Sequence, residues 1–379
     1  MIKYVGVNDH QIDLFEGQYI VPLGMSYNSY LVLEDKTCLF DSVDVNFKDE
    51  FIKNVKKELN GKKLDYFVIS HMEPDHSASI DALLKEFLDV CVVGNAKTFT
   101  MLNQFFPNLE IKNKLVVKEN DTLSLGNKTV KFITAPMVHW PEVMVSYLVE
   151  DKTLFSADAF GKFGALDTVD PEGWACEARR YYFGIVGKYG SPVQTLLKKL
   201  ASYEIEKICP LHGPVLDENL SYYFNLYDIW SKYEVENENG VTICYSSVYG
   251  NTKAACELLA SKTTKDIDIF DLARDDMAEA VEGAFENKIL VLASMTYKGE
   301  VFKDMKTFLN DLKERGYQNR KIAIIENGSW APMAKKFILN FIEENFKNIE
   351  IIPVSISIKS SLSDINIEEI NNLAKAINE

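Results

Sequence analysis

The chain has 379 residues, 47% of them hydrophobic and 26% charged, which is long enough for two domains with separate cores and too apolar to remain disordered. Its net charge of −15 disfavours nucleic acid or any other polyanion as a partner. No apolar run approaches the roughly 18 residues a bilayer span requires, and Asn8-Asp9-His10-Gln11 is polar where a signal peptide would be apolar, so a cytoplasmic location is expected.

From about residue 30 to 235, strand-like runs at 30–33, 66–70, 90–93, 130–134, 143–149 and 207–209 mix with helical patterns and turn signals, as in a layered α/β or α+β domain. The six cysteines, Cys38, Cys91, Cys176, Cys209, Cys244 and Cys256, are scattered and form no Cys-x-x-Cys pair, so they read as small buried hydrophobes in a reducing cell. Behind the apolar run 66–70 comes His71-Met72-Glu73-Pro74-Asp75-His76, four potential metal ligands in six residues. Burying so many ionisable groups at a strand end is costly unless a cation compensates them. His139, Asp158 and His212 follow in similar strand-then-loop settings, while His10 lies outside any such loop and reads as a surface residue.

Seven candidate ligands exceed the four that one zinc ion takes. If Asp158 bridges through its two oxygens, they divide into two sets of four. Four imidazoles and three carboxylates without a thiolate suit non-haem iron, with zinc and manganese also compatible with the residue types. Farther on, Asp170-Pro171-Glu172 predicts a helix start, with Asp170 as N-cap, ahead of a helix over 174–188. It carries Tyr181 and Tyr182, either of which could offer a hydroxyl near the metals.

The polar run from Glu234 to Gly240 marks the boundary between a first domain, 1–238, and a second, 239–379. Beyond it, predicted strands at 241–245, 266–270, 288–293, 321–325 and 349–354 alternate with helical segments, as in a doubly wound five-stranded parallel sheet. Its first strand-to-helix loop, Ser246-Ser247-Val248-Tyr249-Gly250-Asn251-Thr252, gathers amides and hydroxyls at a helix N-terminus, with no lysine for a polyphosphate. That composition suits one phosphate monoester. Two further loops open on the same sheet edge, Ser294-Met295-Thr296-Tyr297-Lys298-Gly299 and Glu326-Asn327-Gly328-Ser329-Trp330, each with an aromatic ring that can stack on a flat cofactor. The three loops together describe an FMN pocket.

The second domain resembles the flavodoxins, whose phosphate signature is close to 246–252; its middle loop reads Ala-Ser-Met-Thr in place of the usual Gly-Ser-Pro-Thr. The first resembles the metallo-β-lactamase fold, an αββα sandwich, with Glu73 where the zinc hydrolases carry the second histidine of His-x-His-x-Asp-His. The joined pattern resembles the flavodiiron protein family over essentially the whole chain. That resemblance implies one iron on His71, Glu73, His139 and Asp158, and another on Asp75, His76, Asp158 and His212. It implies reduction of dioxygen to water or of nitric oxide to nitrous oxide, with dioxygen ranked first. It also implies a head-to-tail homodimer, with tetramers left open, and an outside electron donor such as rubredoxin or, in some archaea, a reduced deazaflavin. No rubredoxin-like or NAD-binding module is expected before Glu379. Two alternatives stand beside it: a zinc hydrolase fused to a flavin domain, and a non-enzymatic flavin electron carrier.

Overall fold

Two β-sheets face each other in the first of two compact units that make up the chain, 1–228 and 229–379. The computed structural model describes residues 1–379. In the first sheet Ile2–Tyr4, Tyr30–Val32 and Cys38–Phe40 run antiparallel, and Tyr66–Val68, Cys91–Gly94 and Asn113–Val116 continue in parallel. In the second, Thr122–Ser124, Thr129–Thr134, Met144–Leu148 and Thr153–Phe155 form an antiparallel meander, with Lys207–Cys209 parallel at the edge. Their inner faces share one core, in which Phe40 of one sheet stacks on Phe155 of the other at 3.9 Å between centroids.

Helices cover the sandwich because their sequences carry one apolar stripe each. In Lys48–Leu59, Phe51, Val55 and Leu59 are buried at four-residue spacing; Asp49 and Glu50 open the helix, Lys56 and Lys57 close it, and Asn60 ends it at φ 45°. Ala96–Phe105 is capped by Asn95, whose Oδ1 accepts from the amides of Lys97 and Thr98. The helix expected over 174–188 is shorter and starts differently. Asp170 Oδ1 does accept from the Glu172 amide at 3.0 Å while Oδ2 pairs with Lys162, but the contact closes only a turn, and the helix itself begins behind Gly173 at φ 83°. Trp174–Tyr181 is α-helical, Tyr182–Val186 is a π turn, and Gly187–Tyr189 is 3₁₀ before Gly190–Leu200 resumes. The loosening falls at Gly184, where a Cβ would lie 3.0 Å from the Tyr19 ring.

The second unit is a parallel sheet wound on both faces. Asp266–Asp271 forms one edge, followed by Asn237–Ser246, Asn287–Tyr297, Lys321–Asn327 and a last strand broken into Glu350–Ile351 and Ile356–Ile358. Pro353 lies in that break, where its missing N–H cannot join the ladder. Helices Asn251–Lys262 and Asp364–Asn378 pack on the face carrying Val241 and Ile243. Thr242 faces the other way and donates to Gly283 O at 2.7 Å within Met277–Glu286. Buried Arg320 donates to the carbonyls of Tyr233 and Glu234, tying the segment before the first strand to this sheet. No helix of the chain is long and apolar enough to cross a membrane.

Candidate metal centre and flavin pocket

The four strands Tyr66–Val68, Thr129–Thr134, Thr153–Phe155 and Lys207–Cys209 each end in a loop bearing candidate ligands, and those loops converge. Near one end of the cluster, Glu73 Oε2 lies 3.1 Å from His71 Nε2 and 3.0 Å from His139 Nε2. Asp158 Oδ2 is 3.4 and 3.3 Å from the same two nitrogens. Toward the other end, Asp75 Oδ2 is 3.2 Å from both His76 Nε2 and His212 Nε2, and Asp158 Oδ1 is 3.1 Å from the first and 3.9 Å from the second. Asp158 thus points one oxygen at each pair of imidazoles.

Glu73 is within hydrogen-bond reach of its two imidazoles, but hydrogen bonds do not account for the rest of the cluster. Both oxygens of Asp75 and of Asp158 are buried without a hydrogen-bond partner, and His76 Nε2 and His212 Nε2 face each other at 3.0 Å. Ligand atoms crowded around common centres without donors are what cations would satisfy. The outer nitrogens are held from behind: His212 Nδ1 donates to Ser26 O at 2.7 Å and His71 Nδ1 to Glu142 Oε1 at 2.8 Å, which turns Nε2 of each ring inward.

The field of the carboxylates is strong. Burial by itself would lower the imidazoles, but Asp158 and Glu73 outweigh it and raise His139 to about 9; His71 and His76 are raised as well, with Asp158 and Asp75 the largest opposing causes respectively. The same pairs hold Asp158 and Glu73 below the usual carboxylate range although burial opposes this.

Several groups around the cluster are not among the residues picked out from the sequence. Glu142 is fully buried, and contact with His71 keeps its carboxyl low against the cost of burial. Asp41, at φ 56°, accepts from the amides of Ser70 and His71 at 2.7 and 3.2 Å and so shapes the ligand loop; burial lifts its carboxyl to about 6. A small hairpin, Leu14–Phe15 paired with Tyr19–Ile20, places Phe15 edge-on to His212 at 5.5 Å. At its tip Glu16, exposed to solvent on one side, is pushed up to about 7 by partial desolvation and then by the charge of Glu73. Of the two tyrosines, Tyr181 packs at 5.4 Å on His212, whereas Tyr182 packs on Tyr227. His10 is on the surface, 3.0 Å from Asp167.

In the second unit the three loops enclose a pocket of about 780 Å³, within the usual range for cofactor sites. Ser247, Val248, Tyr249, Asn251 and Thr252 line it, with Met295, Thr296, Tyr297, Asn327, Gly328, Ser329 and Trp330. Three candidates from the sequence do not. Ser246 and Ser294 are fully buried beneath it, the latter occupied with Met295 O and the Phe302 amide, and Gly250 serves as the N-cap of Asn251–Lys262 at φ 87°. Ser247 Oγ accepts from the Gly250 amide at 3.1 Å, while the next amides open the helix without partners within it. Ser360, absent from the sequence reading, enters at φ 75°, held by Asn327 Nδ2 to its carbonyl and Asn327 Oδ1 to its amide. Lys298, Gly299, Phe302, Ala331 and Met333 complete the lining. Trp330 and Tyr249 are each 92% exposed, flat surfaces at the mouth.

Residues 25–213 match the family described as ODP family beta lactamase, and residues 242–352 match a flavodoxin domain. The chain is 29% identical over 345 residues to an anaerobic nitric oxide reductase flavorubredoxin of Escherichia coli, covering 87% of this chain and 71% of that one. A flavo di-iron protein variant from Thermotoga maritima is 25% identical, with a TM-score of 0.88 over 99% of this chain and 95% of that one. The chain belongs to the flavodiiron proteins. At 24% identity, rubredoxin oxygen:oxidoreductase from Desulfovibrio gigas shares the fold, with a TM-score of 0.90 over 100% of this chain and 96% of that one.

As a flavodiiron protein it is an oxidoreductase that takes FMN and a non-haem iron pair, and its own residues fit both. Four imidazole nitrogens with carboxylates and no thiolate suit iron, and the orphaned oxygens of Asp75 and Asp158 mark where positive charge is wanted. Hydroxyls and amides at a helix start, beside exposed aromatic faces, suit one phosphate and a flat ring.

Proposed function

We propose that this chain reduces dioxygen to water at two non-haem irons supplied with electrons by FMN, and that it also couples nitric oxide to nitrous oxide. The observation that carries the reading is Asp158, whose two oxygens address two different pairs of imidazoles. On this reading His71, Glu73, His139 and Asp158 would hold one iron, and Asp75, His76, His212 and Asp158 the other. Two ferrous ions and a two-electron-reduced flavin together store the four electrons that dioxygen needs, whereas coupling two nitric oxide molecules needs two.

The protein's own part is to bind, orient and exclude water. Glu142 and the Ser26 carbonyl hold rings with their donor atoms inward, Phe15 covers His212, and Glu16 stands where solvent meets Glu73. The nitric oxide reaction is favoured by the activity named for the flavorubredoxin relative. Electrons come from an outside carrier such as rubredoxin, and the working form is a head-to-tail homodimer in which each flavin serves its partner's irons.

Steady-state consumption of dioxygen and of nitric oxide, measured by electrode on one FMN- and iron-loaded batch with reduced rubredoxin and its reductase, tests this. Turnover of neither gas with both cofactors in place would sink it. Metal-dependent ester hydrolysis in that batch would favour the hydrolase, against which Glu73 already argues. Gas turnover that survives Glu73→Ala with FMN retained would favour a plain electron carrier.

A further inference from the structure

Glu142 stands 71 residues from His71 in the chain, yet its Oε1 accepts from both the His71 Nδ1–H, at 2.8 Å, and the Met72 amide, at 2.9 Å. It is held from behind as well. Asn95 Nδ2 donates to the Glu142 main-chain carbonyl at 2.5 Å while Asn95 Oδ1 caps the helix Ala96–Phe105, so a helix start fixes the residue that meets His71. The side chain is 0% exposed, and its second oxygen, Oε2, has no hydrogen-bond partner.

A buried, unpartnered carboxylate oxygen is costly, and nothing in the two hydrogen bonds explains it. One neutral acceptor would orient the ring and cap Met72 equally well, and a glutamine amide oxygen would supply it. The full charge is therefore left to act on His71 itself. Through the Nδ1–H it makes the ring a stronger donor at Nε2, the atom turned toward Glu73 and Asp158.

We propose that Glu142 is a positioning residue of the metal centre, fixing the tautomer of His71 and, by its charge, strengthening the hold of Nε2 on a divalent metal. The inference rests on the reading of His71 as a ligand. Carboxylate partners of this kind are typically worth tenfold to a hundredfold in metal affinity.

The test is Glu142→Gln in the full-length protein loaded with FMN and iron, because the amide oxygen can keep both acceptor contacts while the charge is lost. Two quantities are read: the rate at which iron passes to a ferrous chelator, and the midpoint potential of the iron pair in a titration followed by electron paramagnetic resonance. One of the two irons should leave about ten to a hundred times faster. The potential should rise, since removing a negative charge disfavours the ferric state, and FMN content should not change. Release and potential both equal to those of the unmodified protein would overturn the proposal and reduce Glu142 to a cap on Met72. His71→Ala separates the two failures: if it keeps both irons at the unmodified rate, the ligand reading falls and this inference with it. Should circular dichroism show that Glu142→Gln is unfolded, Glu142→Asp, with charge kept and reach shortened, takes its place. Iron release from that variant at the unmodified rate is then the overturning result.

Discussion

The two cofactor sites of this chain are built on opposite principles. The metal centre is made of charge. Its ligand atoms belong to ionisable side chains, buried or nearly so, whose opposite charges are crowded together and which other buried groups hold from behind. The flavin pocket is made of backbone and neutral side chains: among its lining residues only Lys298 carries a charge, and its aromatic faces stand open to solvent. The first should therefore fail steeply when one group is changed, and the second should degrade by increments.

Asp158→Asn gives the largest expected effect. Removing one partner from a buried charged cluster costs about 3–5 kcal/mol, and Asp158 serves both imidazole pairs, so both irons should bind roughly a thousandfold more weakly at 1.4 kcal/mol per tenfold. Iron analysis after dialysis checks this, and gas turnover should fall with metal content while FMN stays bound. A variant that loses a single iron would show that the two halves do not share Asp158.

The same crowding makes the metal-free protein sensitive to pH. His139 is raised from its ordinary value of 6.5 to about 9 by Asp158 and Glu73, against the cost of its burial. Its stabilising effect is therefore complete below about pH 6.5 and disappears as pH rises through about 9. Thermal unfolding of chelator-treated protein should show a midpoint that falls across that window. The iron-loaded protein should be flat there, because a ligating imidazole is already neutral. A metal-free midpoint that climbs with pH would mean the carboxylates do not protonate the cluster.

The contrast also decides how much could be read in advance. His71, Glu73, Asp75 and His76 stand out because ionisable residues so close together behind an apolar strand have few other uses, and the alternation of strands and helices beyond residue 240 marks the parallel sheet. Glu142 in Trp-Pro-Glu looks like a solvated loop carboxylate, and only the fold brings it to His71. Asp41 had a faint signal, a carboxylate directly behind a strand, as Asp158 has. Asp170 makes the local contact its sequence promises, to the Glu172 amide, but it caps a turn, and Gly173 at φ 83° delays the helix to Trp174. In the flavin pocket, Ser360 is contributed by a loop that follows the last strand and turns inward on Asn327.

Within the flavin pocket the effects should be smaller. Trp330→Ala removes an exposed ring from the mouth, and aromatic stacking of this kind contributes about 0.5–1.5 kcal/mol, so the Kd for FMN should rise roughly twofold to tenfold at 1.4 kcal/mol per tenfold. Fluorescence titration of the FMN-free protein measures it, with iron content unchanged as the control. A loss of hundredfold or more would mean that the ring, and not the phosphate loop, anchors the cofactor.

The finest distinction concerns Lys298, on the turn between Tyr297 and Gly299 and the one charged side chain in the pocket lining. A reduced flavin gains negative charge, so a nearby cation favours reduction and raises the potential. Because Lys298 is exposed, the effect is that of a charge in water, about 1 kcal/mol at 4 Å, or roughly 40 mV at 59 mV per tenfold for one electron. Lys298→Gln should lower the FMN midpoint potentials by no more than this, in a spectroscopic redox titration at low salt. The difference should shrink as ionic strength rises, because an exposed charge is screened over about 8 Å at 0.15 M. A drop that is several times larger, or indifferent to salt, would place the ammonium group against the flavin in a desolvated contact, and the pocket would then depend on a charge much as the metal centre does.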